Sequence, residues 1–242
     1  MEKFSVRFAT TENELTGAYK LRFNDMLMQY RSDAKSENGL DITPCDAYAR
    51  QVICVDNETN EVVGCYRMIT DEDLPKGERF VSEEEFNIDT LKSYGEKTME
   101  LSRAVVKTEY RNSAVLPLLL RFIVQFIRKN NYRFVIGDAS FFGVDKSVYA
   151  RELAYLANNY GIDEKYNVYS LQDDQIDIDS AEKITDAEAR KLLPALLKVY
   201  TAFGAMVSKT AFSDYDFGSV DVFILLDTKK CNDAYINRLL RI

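Results

Sequence analysis

The sequence predicts an α/β protein built on a mixed α+β sheet, and three observations carry that prediction. Strand-like runs alternate with helix-like periodicities along the whole chain. The clearest unit, ELSRAVVKTEYRNSAVLPLLLRFIVQFIRKNNYRFVIGDASF, runs strand, turn, helix, strand, which is the crossover order of a mixed or parallel sheet. No internal repeat, low-complexity tract or Pro/Gly/Ser linker interrupts the 242 residues, so residues 1–242 are expected to form a single domain.

Each element has its own warrant. FSVRFAT alternates and predicts a strand, and Thr11-Glu12-Asn13-Glu14 is a capping-box pattern that announces a helix. The apolar stripe of that helix is Leu15, Ala18, Tyr19, Phe23, Met26, Leu27 and Tyr30, and Arg22 falls on it. Residues 32–47 are polar and irregular, a loop of the length that carries function. RQVICVDN and EVVGCYRMIT around the turn Asn57–Glu61 predict a β-hairpin, and the acidic stretch Asp71–Gly95 a short helix or excursion.

TMELSRAVVKTEY predicts the next strand. It leads into a helix with the stripe Val115, Leu119, Phe122, Ile123, Phe126 and Ile127, with Ser113 suited to its N-cap and Pro117 to its first turn. After the strand YRFVIGDASF come a helix over 148–160 and a short strand over 166–171. A second capping box, Thr185 to Glu188, opens a helix broken at Pro194 and stopped by Gly204. The strand VDVFILLDT and a helix over 232–241 complete the order, and Ser213–Gly218 fits an Asx turn.

Composition narrows the chemistry. The chain has no His, so Ser-His-Asp and Cys-His dyads, HExxH zinc sites and imidazole proton shuttles are excluded. Acid–base work must fall to carboxylates, Tyr, Lys, Cys, backbone groups or water. Cys45, Cys54, Cys65 and Cys231 form no CxxC pair, no metal-like spacing is present, and the opening residues lack the apolar stretch of a signal peptide, so a reducing cytoplasm and no metal are expected. The net charge of −8 argues against nucleic acid as the main partner.

Three clusters could carry chemistry. Arg22 and Arg67 are cations at core-like positions. Each either packs its stem and sends its head to water or meets anions in a cleft, and the candidate anions for Arg22 are Asp41, Asp46 and Glu100. Met-Glu-Leu-Ser-Arg, 99–103, offers Glu100 and Arg103, which in a regular strand point to opposite faces and share one only across a β-bulge. Glu100 is then either a solvent-face residue paired with a Lys or a proton acceptor in a cleft. Tyr110 to Ala114 precede the N-terminus of the best helix, where open N–H groups and Arg111 favour an anion, without any Gly-rich cradle.

Taken together, these pieces resemble the GCN5-related N-acetyltransferase (GNAT) superfamily, and within it the hemolysin-like branch that includes ornithine-lipid N-acyltransferases and is related to acyl-homoserine-lactone synthases. The long unit quoted above, YKLRFNDML, EVVGCYRMI and the segment from LLPALLKVY to FILL all follow in the branch's order. The resemblance implies a GNAT-like fold whose central sheet splays to admit an acyl-phosphopantetheine thioester. It also implies an enzyme that moves a fatty acyl group from acyl carrier protein, or from coenzyme A, to the amine of an amino acid or similar small molecule, as in aminolipid synthesis, with no tightly bound cofactor.

By position, Arg22, Asp41, Asp46 and Arg67, with Ser140 and Phe141, are implied on the substrate side. Val105, Val106, Lys107, Arg111, Asn112, Ser113 and Ala114 are implied on the acyl-donor side, and Glu100 and Arg103 in catalysis. Ala114 and Leu116 stand where the superfamily loop has small or Gly residues, which favours a carrier-protein arm over the diphosphate of coenzyme A. In the expected reaction a neutral amine attacks the thioester, Glu100 takes its proton through water, and a backbone N–H within 105–107 polarises the carbonyl. An acidic carrier protein would need a basic strip, for which Arg121, Arg128, Lys129 and Arg133 are the candidates, and an amphipathic product suggests transient contact with a membrane surface. The absence of Trp weighs against a lactone-synthase activity on S-adenosylmethionine, and a protein that only holds acyl chains or carrier protein is the remaining alternative.

Overall fold

A computed structural model describes residues 2–36 and 38–241. In chain order the elements are β1 Phe4–Phe8, α1 Glu12–Arg22, α2 Met28–Tyr30, β2 Arg50–Asp56, β3 Glu61–Thr70, β4 Phe86–Asn87, α3 Asp89–Lys92, β5 Thr98–Val106, α4 Val115–Asn130, β6 Phe134–Phe142, α5 Ala150–Tyr160, β7 Tyr169–Ser170, α6 Asp186–Leu192, α7 Ala195–Phe203, β8 Met206–Asp214, β9 Ser219–Asp227 and α8 Asp233–Leu240. They fall into two compact units: one of residues up to Glu78, Met99–Asn131 and from Ile236, the other of Arg79–Thr98 and Tyr132–Tyr235.

In the first unit β1, β2, β3 and β5 pair antiparallel in that order. The α1 capping box forms as expected: Thr11 Oγ1 accepts the Glu14 N–H, and the Glu14 carboxylate accepts the Thr10 and Thr11 N–H groups. The Thr10 N–H and the Arg7 guanidinium hold the Glu14 carboxyl down at about 2 against the cost of its desolvation. Directly after Arg22 the helix widens into a π-turn, Phe23–Leu27, which the periodicity alone did not indicate. Helix α4 buries Val115, Leu119, Ile123 and Ile127, while Phe122 and Phe126 stand edge-on to Phe8. Gly64 of β3 permits that close packing, since a Cβ there would lie 2.5 Å from Val115 Cγ1.

In the second unit β6, β9 and β8 pair antiparallel in that order, and β4 pairs with β7. Leu153 and Leu156 of α5, Leu197 of α7 and the inward residues of β6, β8 and β9 form one apolar core. Three expectations are corrected in this unit. Strand β8 lies inside a stretch read from the sequence only as a C-terminal segment, because its Ser, Lys and Thr residues mask the alternation. The strand expected at 166–171 shortens to two residues, since Glu164–Tyr166 is a single 3₁₀ turn. Helix α5 starts at Ala150, after a 3₁₀ turn at Lys146–Tyr149. The break at Pro194, the stop at Gly204 and the Asx turn before Gly218 all form as read.

Candidate active site

A group of buried charges on the first unit is assembled by α1, the loop after it, β2, β3 and β5. Arg22 is fully enclosed, so its head does not reach water. Its Nε donates to Asp41 Oδ2 at 2.8 Å, and Nη1 and Nη2 donate to the two oxygens of Asp46 at 2.7 and 3.0 Å, a forked pairing that fixes the guanidinium plane. Burial works against the Arg22 charge, but the hydrogen bonds and charges of Asp46 and Asp41 outweigh it and hold its pKa above the usual value. Desolvation likewise opposes the Asp46 charge, and Arg22 with the Thr43 N–H overcomes it and lowers the Asp46 pKa. These bonds fold the 32–47 loop, described except for Glu37, down onto the sheet.

Strand β5 supplies the bulge that the sequence required. Cys65 pairs with Val105 but Arg67 pairs with Ser102, so Arg103 and Ala104 together face Tyr66. Arg103 absorbs the extra residue with φ +53°, a strained conformation for a side chain of that size. The kink lets Arg103 Nε donate to Asp41 Oδ2 at 3.1 Å, the same oxygen that Arg22 engages. Glu100 lies two residues before Ser102 and is 1 % exposed, so it is no solvent-face residue.

Arg67 is also buried, on the same row of side chains. Its Nε donates to Ser102 Oγ at 2.8 Å and Nη1 to Thr43 Oγ1 at 2.7 Å, and the Thr43 hydroxyl donates a hydrogen bond to Asp46 Oδ2 at 3.1 Å. The nearest Asp46 oxygen is 3.9 Å from Arg67. Burial and the positive charge of Arg103 push its pKa below the ordinary value. Gln51, Thr43 and Ser102 are network members that the sequence reading passed over. Gln51 carried a usable signal, as the one amide inside the otherwise apolar run QVICV.

The turn before α4 differs from expectation. Ala114, not Ser113, is the N-cap, and Ser113 Oγ accepts the Val115 N–H from one position earlier. Pro117 has no N–H and the Leu118 N–H goes to Ala114 O, so the first turn offers an anion fewer donors than a Gly-rich loop would. Asn112 supplies the left-handed residue of this turn. The exposed Arg111 donates to the carbonyl oxygens of Asp25 and Val106, and Asp25 accepts the Thr108 N–H and hydroxyl, tying the π-turn to this segment. Within 105–107 the Lys107 N–H is spent on Val63 O. Alternation along an antiparallel pair then turns the Val106 N–H away from β3.

Ser140 and Phe141 belong to β6 of the second unit. Phe141 is buried in that unit's core with its ring 4.6 Å from Tyr149. Arg121, Arg128 and Lys129 lie on α4, the last two exposed. Arg133 is not available to a partner as a basic-strip residue, because Glu96 and Asp227 hold its guanidinium. The thiols of Cys54 and Cys65 are both pushed up to about 12 by burial, which removes them as nucleophiles. Among the described residues no helix is long and apolar enough to cross a membrane.

This arrangement of a bulged strand and a strand-to-helix turn is accompanied by a match of residues 12–121 to the acetyltransferase (GNAT) domain. The domain match and the relatives together make the chain an acyltransferase. Its relatives include the L-ornithine N(alpha)-acyltransferases of Rhizobium meliloti, 28% identical with 96% of this chain and 82% of the relative covered, and of Brucella abortus, 27% identical with 96% and 87% covered. Among solved structures, a CoA-dependent acyl-homoserine lactone synthase, MesI, shares the fold with a TM-score of 0.53 at 14% identity, covering 98% of this chain and 96% of that one.

Proposed function

We propose that this protein transfers a fatty acyl group from the thioester of a phosphopantetheine arm to the α-amine of a free amino acid, with ornithine the first acceptor to try. The observation that carries this reading is the cluster of buried Arg22, Asp41, Asp46 and Arg67, which the half-buried Arg103 joins across a bulge in β5, with buried Glu100 on the same strand. Relatives named L-ornithine N(alpha)-acyltransferases align over 96% of the chain, which supports taking residues 1–242 as one N-acyltransferase domain.

The amine attacks the thioester carbonyl directly, and the thiols of Cys54 and Cys65, pushed up by burial, are not set up as acyl-enzyme nucleophiles. Glu100 accepts the amine proton through water, and the outward Val106 N–H stabilises the developing oxyanion. Arg22 acts as a positioning residue that holds Asp41 and Asp46, and Asp41 in turn holds Arg103 towards the acceptor. The donor phosphate meets Arg111 and the turn 112–114. The small number of donors in that turn favours a carrier-protein arm with one phosphate over the diphosphate of coenzyme A. Arg121, Arg128 and Lys129 on α4 are the residues proposed to meet an acidic carrier protein.

The test is to incubate the protein with acyl carrier protein thioester, or acyl-CoA, and a panel of amino acids, and to read products by mass spectrometry. An N-acyl amino acid together with stoichiometric thiol release is the expected outcome. Thiol release without product, or none at all, would overturn the reading in favour of a binding protein.

A further inference from the structure

Two atoms of the buried network lack a hydrogen-bond partner, and they sit on adjacent strands at paired positions. Gln51 of β2 pairs with Arg67 of β3, which pairs with Ser102 of β5. Paired residues of antiparallel strands project from the same face with Cα atoms about 4.5–5.5 Å apart. Asp46 only accepts hydrogen bonds, so the Gln51 amide nitrogen must face it, at 3.0 Å, and the amide oxygen Oε1 is turned elsewhere and left without a donor. Arg67 uses Nε and Nη1 on Ser102 and Thr43, and its Nη2 has no acceptor. Both side chains are about 1 % exposed, so bulk water does not supply the missing bonds.

An unmet donor on a buried cation and an unmet acceptor on its cross-strand partner select for a particular ligand. A bare anion satisfies Arg67 but meets the lone pairs of Gln51 Oε1, and a bare cation does the opposite. A group with an anionic oxygen and an N–H on neighbouring carbon atoms satisfies both, and the head of an α-amino acid is such a group. We propose that the Gln51–Arg67 rung is the receptor for the acceptor's head: Arg67 Nη2 donates to its carboxylate, and Gln51 Oε1 accepts an N–H of its amine. This rests on the reading of the acceptor as a free amino acid. It gives the site its selectivity, because an amine without the neighbouring carboxylate leaves Arg67 unpaired, and an unpaired buried donor is costly. The receptor also orients the nucleophile, since one N–H held by Gln51 leaves the nitrogen lone pair directed elsewhere.

The experiment compares the wild-type protein's kcat/KM on L-ornithine, and on any other amino acid it acylates, with that on the corresponding carboxamide, using one acyl thioester donor. The carboxylate is expected to be preferred about 10- to 100-fold, expressed mainly in KM. Arg67→Met should abolish that preference without lowering Tm, because an under-paired buried cation replaced by an apolar side chain of similar length does not weaken the fold. Gln51→Met should raise KM for acid and amide alike, since both present the N–H. Equal use of acid and amide by the wild-type protein would overturn the receptor while leaving amino-acid acylation intact. Failure of the wild-type protein to acylate any amino acid would overturn that underlying reading and the receptor with it. If Arg67→Met does not fold, the wild-type comparison still decides.

Discussion

The charged face of the first unit and the interior of the second are equally dry, yet they are built on opposite terms. Around Leu156, Leu197, Val207 and Val222, each fully buried, the second unit packs apolar surface on apolar surface, where every contact is favourable and none is directional. Around Arg22 and Arg67 the first unit buries guanidinium and carboxylate groups whose desolvation is offset only by forked, fixed hydrogen bonds. Two of its buried polar atoms, Gln51 Oε1 and Arg67 Nη2, stand unsatisfied on paired residues of β2 and β3. An apolar filling would serve the fold at least as well there, and the proposed acceptor site gives the charges a use.

The largest expected effect lies on the charged face. Glu100→Gln should lower the single-turnover rate of acyl transfer by about 10²- to 10⁴-fold with acyl-donor affinity nearly unchanged. Comparable single-turnover rates for variant and parent would sink the role given to Glu100.

Next come a pair of substitutions that set the two regions against each other. Arg22→Met strands Asp41 and Asp46 and should cost about 3–5 kcal/mol in urea unfolding as well as activity. Leu197→Ala, in the apolar core, should cost about 2–5 kcal/mol with the activity of the remaining folded protein intact. Acid separates them further. The Asp46 carboxyl is held below its ordinary value of 3.8, so the stability it contributes is complete above about pH 5 and is lost as the pH falls through the lowered pKa. A scan of Tm against pH should show this acid loss in the wild-type protein and a smaller one in Arg22→Met. An equal acid loss in both proteins would show that the Arg22 pairing does not set it.

The smallest effect belongs to a local device in neither region's interior. Thr185→Ala removes the α6 cap, in which Thr185 Oγ1 accepts the Glu188 N–H, and should cost about 1 kcal/mol with no change in turnover. A cost several times larger would mean that the cap also organises the packing of α5 against α6.

How much was legible depended on the range of the interactions involved. Capping boxes at Thr11 and Thr185, the α4 stripe, the break at Pro194 and the stop at Gly204 are written in neighbouring residues and form as read. The anomaly of Arg22 and Arg67 was visible as charge in apolar patterns, and the need for a bulge between Glu100 and Arg103 followed from strand geometry. The π-turn after Arg22, the strand character of β8 and the capture of Arg133 by Glu96 and Asp227 were not visible, because each depends on partners distant in sequence.

By itself the sequence determined the kind of chemistry available: no imidazole, no paired cysteines, and carboxylates and arginines placed where apolar residues belong. It also determined most local elements, since helix periodicity, caps and breakers act over a few residues. Only the tertiary structure decided which charges meet. It paired Arg22 with Asp41 and Asp46 across 19 and 24 residues, bent β5 until Arg103 joined them, and set Gln51, with its unmet acceptor, in register with Arg67, with its unmet donor. The physical reason is that the cost of a buried charge is set by the groups around it in space, and strand register and loop closure choose those groups.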